Sequence, residues 1–139
     1  MFIDASAIVA ILAREADAES LLDRIEAAKG PIHVSPLVRF EAAVSLARSR
    51  SGAANRPDAA TIAAAARLVS AFLDEIGAAE MPITDEIGRA ALDAAMTFGK
   101  AVGHTADLDF GDCFAYACAK VGGVGLLYKG NDFARTDLA

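Results

Sequence analysis

The stretch FGDCFAYACA, Phe110 to Ala119, is apolar or nearly so from Cys113 onward, the pattern of a helix buried on most of its sides. Asp112 stands directly before that run, with Gly111 preceding it. A carboxylate carried into a buried helix end must be hydrogen-bonded, paired or bound to a metal, because an isolated buried charge is too costly. Read alone, Asp112 is an N-cap that accepts hydrogen bonds from the free N–H groups of the first turn. That assignment starts the helix at Gly111 and carries it to about Val121.

Outward from this helix, short strands and helices alternate. Phe2-Ile3 is expected to form a strand with Asp4 at its C-terminal end, followed almost without a loop by a helix over Ala7–Leu12 that Ser6 caps. A second helix is expected from about Asp17 to Lys29, ended by Gly30-Pro31. A strand over Ile32–Ser35 leads into a third helix, with Pro36 well suited to its first position, reaching about Arg50. The segment SRSGAANRP, residues 49–57, is the clearest loop. Asp58 then starts an alanine-rich helix to about Ile76. Met81-Pro82-Ile83 reads as a weak strand, and Thr84 or Asp85 caps a helix to about Lys100. His104–Asp109 is expected to be irregular, and Val124–Tyr128 gives a last strand before Lys129-Gly130-Asn131-Asp132.

This alternation predicts an α/β domain with a mainly parallel sheet flanked by helices. In such open sheets, sites form beyond the C-terminal ends of the strands. Asp4 and Asp132 both fall at such ends. The 139 residues show no repeat and no composition break, so a single domain over residues 1–139 is expected.

Composition narrows the functional classes. The chain is 55% hydrophobic and 23% charged, which excludes overall disorder. Its mean hydropathy of +0.37 is inflated by alanine, and no apolar run approaches the roughly 20 residues that span a bilayer. Met1-Phe2-Ile3-Asp4 lacks the basic start of a signal peptide, so a cytoplasmic address without a membrane partner is expected. The net charge of −6 argues against a general electrostatic grip on nucleic acid, although a bound metal can set a local field of opposite sign. Cys113 and Cys118 share one apolar helix and read as buried thiols. With His33 and His104 far apart, zinc has little support.

Glu41 interrupts an otherwise apolar stripe formed by residues 37, 38, 44 and 45 of the third helix. Four carboxylates, Asp4, Glu41, Asp112 and Asp132, therefore occupy a strand end, a helix stripe, a helix start and a turn after a strand. Convergence without a cation would raise some of their pKa values strongly. Magnesium or manganese, hard ions that take oxygen ligands, would resolve the repulsion. Phosphodiester hydrolysis suits an all-acid site better than zinc chemistry does.

With FIDASAIVAIL at residues 2–12, Glu41 in the third helix, GDCFAYACAK at 111–120 and LLYKGNDFARTDL at 126–138, the chain resembles PIN-domain ribonucleases. It is most similar to the VapC toxins of bacterial type II toxin–antitoxin systems. The resemblance implies a PIN-like α/β fold with four to five short, mainly parallel strands flanked by helices. It also implies a magnesium-dependent (manganese is possible) endoribonuclease in which a metal-activated water attacks an RNA phosphodiester. The family's acidic residues fall on Asp4, Glu41, Asp112 and Asp132, with Asp4 and Asp112 as the main metal ligands. Ser6 and Asn131 become supporting polar groups. A homodimer and a VapB-like antitoxin whose tail covers the acidic pocket are implied as well. Asp109 departs from the uncharged residue expected there: its extra charge can disturb or supplement metal binding, but like Asp107 and Asp137 it reads as an exposed surface acid.

The basic residues Arg48, Arg50 and Arg56 lie in a stretch from Ala42 to Pro57 that contains no acid. They can guide an RNA backbone or meet an acidic partner surface, or they can simply decorate a solvated loop. Lys129 and Arg135, flanking Asp132, are better placed to touch a phosphate. Phe110, Phe114 and Tyr116 read as core. Two rivals remain. A haloacid-dehalogenase-type phosphatase needs a second Asp two residues after the first, where this chain has Ser6. A catalytically silent PIN-like binding module would have little use for four acids.

Overall fold

The computed structural model describes residues 1–52 and 56–138. Four strands, β1 (Phe2–Ile3), β2 (His33–Val34), β3 (Ala79–Glu80) and β4 (Leu126–Leu127), form one parallel sheet in the order β3-β2-β1-β4. Six α-helices flank it: α1 (Ala5–Leu12), α2 (Ala18–Glu26), α3 (Pro36–Ser51), α4 (Ala59–Glu75), α5 (Asp85–Phe98) and α6 (Phe110–Gly122). Short 3-10 turns occupy Lys100–Val102 and Phe133–Arg135. The fold class is the expected one: among the described residues the four strands pair only in parallel.

The strands are two residues long, and the helices on the sheet supply most of the buried apolar side chains. Phe2 and Ile3 of the central strand β1 and Leu127 of the edge strand β4 are fully buried, as befits parallel strands covered on both faces. The same core takes Ile8 from α1, Leu46 from α3, Val69 and Leu73 from α4, Cys118 from α6 and Phe133 from the tail. Helix α3 packs on α1 and α4, α5 packs on α6, and α6 lies against β1 and β4. The chain leaves β1 outward through β2 to β3, then returns to the other side of β1 with β4. The C-terminal ends of β1 and β4 therefore meet at the switch point, where an open α/β sheet offers a crevice.

Several boundaries differ from expectation. Asp4, not Ser6, caps α1, since its carboxylate accepts the Ser6 N–H. Helix α6 begins at Phe110 with Asp109 as its cap, so Asp112 is a first-turn residue and not the N-cap. Strand β3 lies at Ala79–Glu80 instead of Met81–Ile83: Pro82 has no N–H for a ladder, and the last bond to β2 is donated by Met81 N–H to the Val34 carbonyl, 2.8 Å. Helix α2 is shorter at both ends than the segment Asp17–Lys29. Of the loop expected over residues 49–57, residues 49–51 extend α3, and residues 53–55 lie outside the described residues. Phe110, expected in the core, is 71% exposed. Among the described residues, no helix is long and apolar enough to cross a membrane.

Candidate active site

The crevice is built from β1 outward. The buried pair Phe2-Ile3 brings Asp4 to the sheet's C-terminal edge, where its N–H donates to the Leu127 carbonyl of β4 at 2.9 Å. The Asp4 side chain is only 4% exposed. Its Oδ2 accepts the Ser6 N–H at 2.9 Å and the Ser6 hydroxyl at 2.5 Å. Ser6 Oγ in turn accepts the Lys129 N–H at 3.0 Å. Ser6 thus ties the start of α1 to the segment after β4 and fixes the rotamer of Asp4. Burial raises the Asp4 pKa, opposed by the hydrogen bonds from Ser6 and Ala5 and reinforced by the charge of Asp109.

Glu41 reaches the crevice from α3, on whose core face Val38 and Ala42 are buried. Its carboxylate lies against Gly111 at the start of α6, so closely that a Cβ on that glycine would stand 2.3 Å from Oε2. Burial, then the charges of Asp4, Asp109 and Asp112, push its pKa up to about 7. Asp112 enters from the first turn of α6 and shares a capping box with Asp109. Its Oδ2 accepts the Asp109 N–H at 2.9 Å, and Asp109 Oδ1 accepts the Asp112 N–H at 3.0 Å. Burial raises the Asp112 pKa to about 7. The Asp109 N–H opposes that rise, and the charges of Asp109, Asp4 and Asp132 add to it.

Asp4, Ser6, Glu41 and Asp112 line one cleft of about 280 Å³, together with Glu15 and Lys129. Asp132 is exposed at the head of the 3-10 turn Phe133–Arg135 and acts on Asp112 through its charge, outside the lining of the cleft. Asn131 is exposed beside it. Lys129 is held by an ion pair with Glu15. Arg135 is exposed, and its Nη1 donates to the Thr105 carbonyl at 2.5 Å. Asp137 is a surface acid as expected, yet it holds Lys120 and accepts the Tyr116 hydroxyl at 2.6 Å.

Three contributors were read from the sequence only in part or not at all. Asp109 is exposed, as a surface acid should be, but its charge bears on Asp4, Glu41 and Asp112. Its signal was the Asp-x-x-Asp spacing of a capping box. Gly111 makes room for Glu41, and the Glu15–Lys129 pair spans positions no sequence rule connects.

The donor set is all oxygen, negatively charged and short of cations, which suits a hard divalent ion and not zinc or copper. Among the described residues, no three His, Cys, Asp or Glu side chains close into a ready-made metal cage. Magnesium does not require one, since it keeps several waters and binds through one or two carboxylates.

The sheet order, the helices around it and the acid-lined crevice at the switch point define a PIN-like nuclease fold. The family profile described as PIN domain matches residues 1–138. The chain is 49% identical over 141 residues to a VapC ribonuclease of Rhizobium meliloti, covering 99% of this chain and 98% of that one. It is 39% identical to ribonuclease VapC30 of Mycobacterium tuberculosis, over 100% of this chain and 96% of the relative. The chain belongs to the PIN-domain family and, within it, to the VapC ribonucleases. Among solved structures, the crystal structure of Mycobacterium tuberculosis VapC20, a sarcin-ricin loop cleaving toxin, superposes with a TM-score of 0.63. That match covers 96% of this chain and 92% of that one at 20% identity, a likeness of fold.

Proposed function

We propose that this chain, acting as one PIN domain over residues 1–139, is a cytoplasmic, magnesium-dependent endoribonuclease and the toxin of a toxin–antitoxin pair. The observation that carries the reading is the convergence of Asp4, Glu41 and Asp112 at the C-terminal ends of β1 and β4 with their pKa values raised. The one lysine lining the same cleft is engaged by Glu15. Such a cluster is poorly compensated within the chain, and a divalent cation supplies the missing charge.

Asp4 and Asp112 would hold the ion, with manganese as an alternative to magnesium. When bound, the ion supplies Lewis-acid chemistry and an activated water for in-line attack on an RNA phosphodiester. Ser6 keeps Asp4 oriented by donating to Oδ2. The Asp109 N–H does the same for Asp112. Glu41, on the wall of the same cleft, is placed to accept a proton from the attacking water. Asp132, at the rim, and Asn131 orient the substrate or a second ion. Lys129, on the cleft wall, meets an approaching phosphate only by giving up its ion pair with Glu15. A VapB-like antitoxin silences the enzyme by placing a basic side chain among the carboxylates, in competition with the metal, and the enzyme works as a homodimer.

The test is cleavage of a mixed pool of structured RNAs by antitoxin-free protein, with magnesium, manganese or EDTA. Asp4→Asn and Asp112→Asn run in parallel. Cuts at defined positions should appear with either ion and fall about a hundredfold or more with EDTA and in both variants. Cleavage that persists in the variants would mark a contaminating nuclease. A folded, metal-binding protein that cuts nothing would favour the binding-module reading.

A further inference from the structure

Among the described residues that line the carboxylate cleft, Asp4, Glu15, Glu41 and Asp112 are acidic and Lys129 alone is basic. The backbone of Lys129 is pinned there, because its N–H donates to Ser6 Oγ at 3.0 Å and the Ser6 hydroxyl donates to Asp4. Its ammonium pairs with Glu15 and, among the described residues, with no other acid. Glu15 is held as firmly. Helix α1 ends at Ala13 in a turn where the Arg14 N–H donates to the Ile11 carbonyl at 3.1 Å and the Glu15 N–H to the Ala10 carbonyl at 2.9 Å. This pair of bonds is the Schellman ending, whose turning residue is usually glycine. Here it is Arg14, at a φ of 55°, a conformation that is costly for any residue with a Cβ. The turn folds the chain back after α1, and Glu15 thereby lines the cleft.

The Glu15–Lys129 pair does little for the fold. Its side chains are 36% and 35% exposed, and pairs so open to water contribute little to stability. Its consequence lies in the cleft. The hydrogen bond to Glu15, opposed by desolvation and aided by the charges of Glu15 and Asp17, raises the Lys129 pKa, so the ammonium is charged throughout the neutral range. A charged ammonium on the wall of such a cleft is a point-charge ligand for phosphate. The Glu15 carboxylate offers it what a phosphodiester would offer, an anionic oxygen that accepts a charge-assisted hydrogen bond. Two anions on one ammonium repel each other, so a phosphate reaching Lys129 replaces Glu15 and does not join it. The weakness of an exposed pair makes that exchange easy.

We propose that Glu15 occupies, on Lys129, the place of a substrate phosphate, and that RNA enters the cleft by displacing it. This rests on the ribonuclease reading. Lys129 then contacts a phosphate of the bound strand, while Glu15 turns out to solvent. Glu15 sets how tightly the cleft grips RNA, acting through Lys129 and standing outside the chemical step.

The experiment is a double-mutant cycle on RNA affinity. A fluorescein-labelled single-stranded ribo-oligonucleotide of mixed sequence is titrated in calcium, a hard ion for oxygen ligands, and gels check that the strand stays intact. The proteins are wild type, Glu15→Gln, Lys129→Gln, Lys129→Arg and the double variant Glu15→Gln/Lys129→Gln. Glu15→Gln should bind about fivefold more tightly, the release of one exposed ion pair. Its affinity should also fall more steeply with salt, by about 0.7 in log–log slope, the share of one phosphate contact on a single strand. Lys129→Gln should bind about tenfold more weakly, and Lys129→Arg should retain most of the affinity. In the Lys129→Gln background the gain from Glu15→Gln should largely vanish. On an RNA found to be cut in magnesium, Glu15→Gln should lower KM with little change in kcat. A gain from Glu15→Gln that is as large without Lys129 would overturn the exchange, because Glu15 would then only repel RNA. Affinity unchanged by either single substitution, in variants folded by circular dichroism, would overturn it as well. Both results leave the ribonuclease reading standing where wild type cuts RNA. The expected coupling without cleavage of any RNA would overturn the ribonuclease reading alone.

Discussion

A Cβ added at Gly111 would sit 2.3 Å from Glu41 Oε2 and 2.8 Å from its Cδ. The atoms it meets are the far end of a flexible side chain, so the fold survives such a change and the Glu41 carboxylate moves. Alanine is also preferred to glycine within a helix by about 1 kcal/mol. Gly111→Ala should therefore keep or raise the thermal midpoint while lowering RNA cleavage by about a hundredfold, the cost of a reacting group misplaced by an ångström. Melting curves and single-turnover cleavage on one preparation check this, and full activity in the folded variant would remove Glu41 from the mechanism. Individual acids were legible because they break a pattern: Asp4 ends a buried strand, Glu41 interrupts an apolar stripe, and Asp112 adjoins an apolar run. Gly111 was not, since its role is the space it leaves for a residue 70 positions away in the chain. Phe110 misled for the opposite reason: its apolar character suggested core, while its place at the first position of α6 turns it outward.

At the level of elements, the start of α6 decides where Asp112 points. Two aspartates three residues apart offer two starts, and the earlier one prevails because Asp109 and Asp112 then bond each other's N–H groups reciprocally. Asp109 is thus both a cap and a like charge beside Asp4, Glu41 and Asp112. The two roles separate by substitution. Asp109→Ala removes the acceptor and should cost about 1 kcal/mol, a drop of about 4 °C in thermal midpoint for a chain of this size. Asp109→Asn keeps an acceptor and removes the charge, so its midpoint should equal or exceed that of wild type in metal-free buffer at pH 7.5. Equal losses in both variants would show that the charge, not the cap, holds the helix start. The alternation of strands and helices was legible throughout, because the helices carry long apolar stripes. Strand limits were not, because two-residue strands are too short to show a period of two. Strand β3 at the sheet edge is exposed and bears no burial signal, whereas Met81 and Ile83 just beyond it pack against the core and attracted the assignment.

The molecule as a whole holds a cluster of acids that it can charge only at a cost in stability. Glu41 and Asp112 titrate near 7 in the folded chain, and Asp4 is also raised. A carboxyl with a raised pKa binds its proton more tightly when folded than when unfolded. The stability it contributes is therefore fully present below its ordinary value and is lost as pH rises through the folded one. Asp58 and Asp137 shift the other way, each lowered by its hydrogen-bond partners, so their contribution is lost only in more acidic solution. Between about pH 5 and pH 8 the raised group governs, and the metal-free thermal midpoint should fall by several degrees. Magnesium binds the ionised carboxylates and stabilises by mass action, so its effect should be small at pH 5 and large at pH 8. Asp112→Asn removes one half-buried charge and one proposed ligand together. In EDTA at pH 8 it should melt at or above wild type, and it should lose most of the stabilisation by magnesium. Thermal unfolding at the two pH values, with EDTA or magnesium, reads all of these at once. A midpoint independent of pH in EDTA would deny that the acids are uncompensated, and undiminished magnesium stabilisation in Asp112→Asn would place the ion elsewhere on the chain.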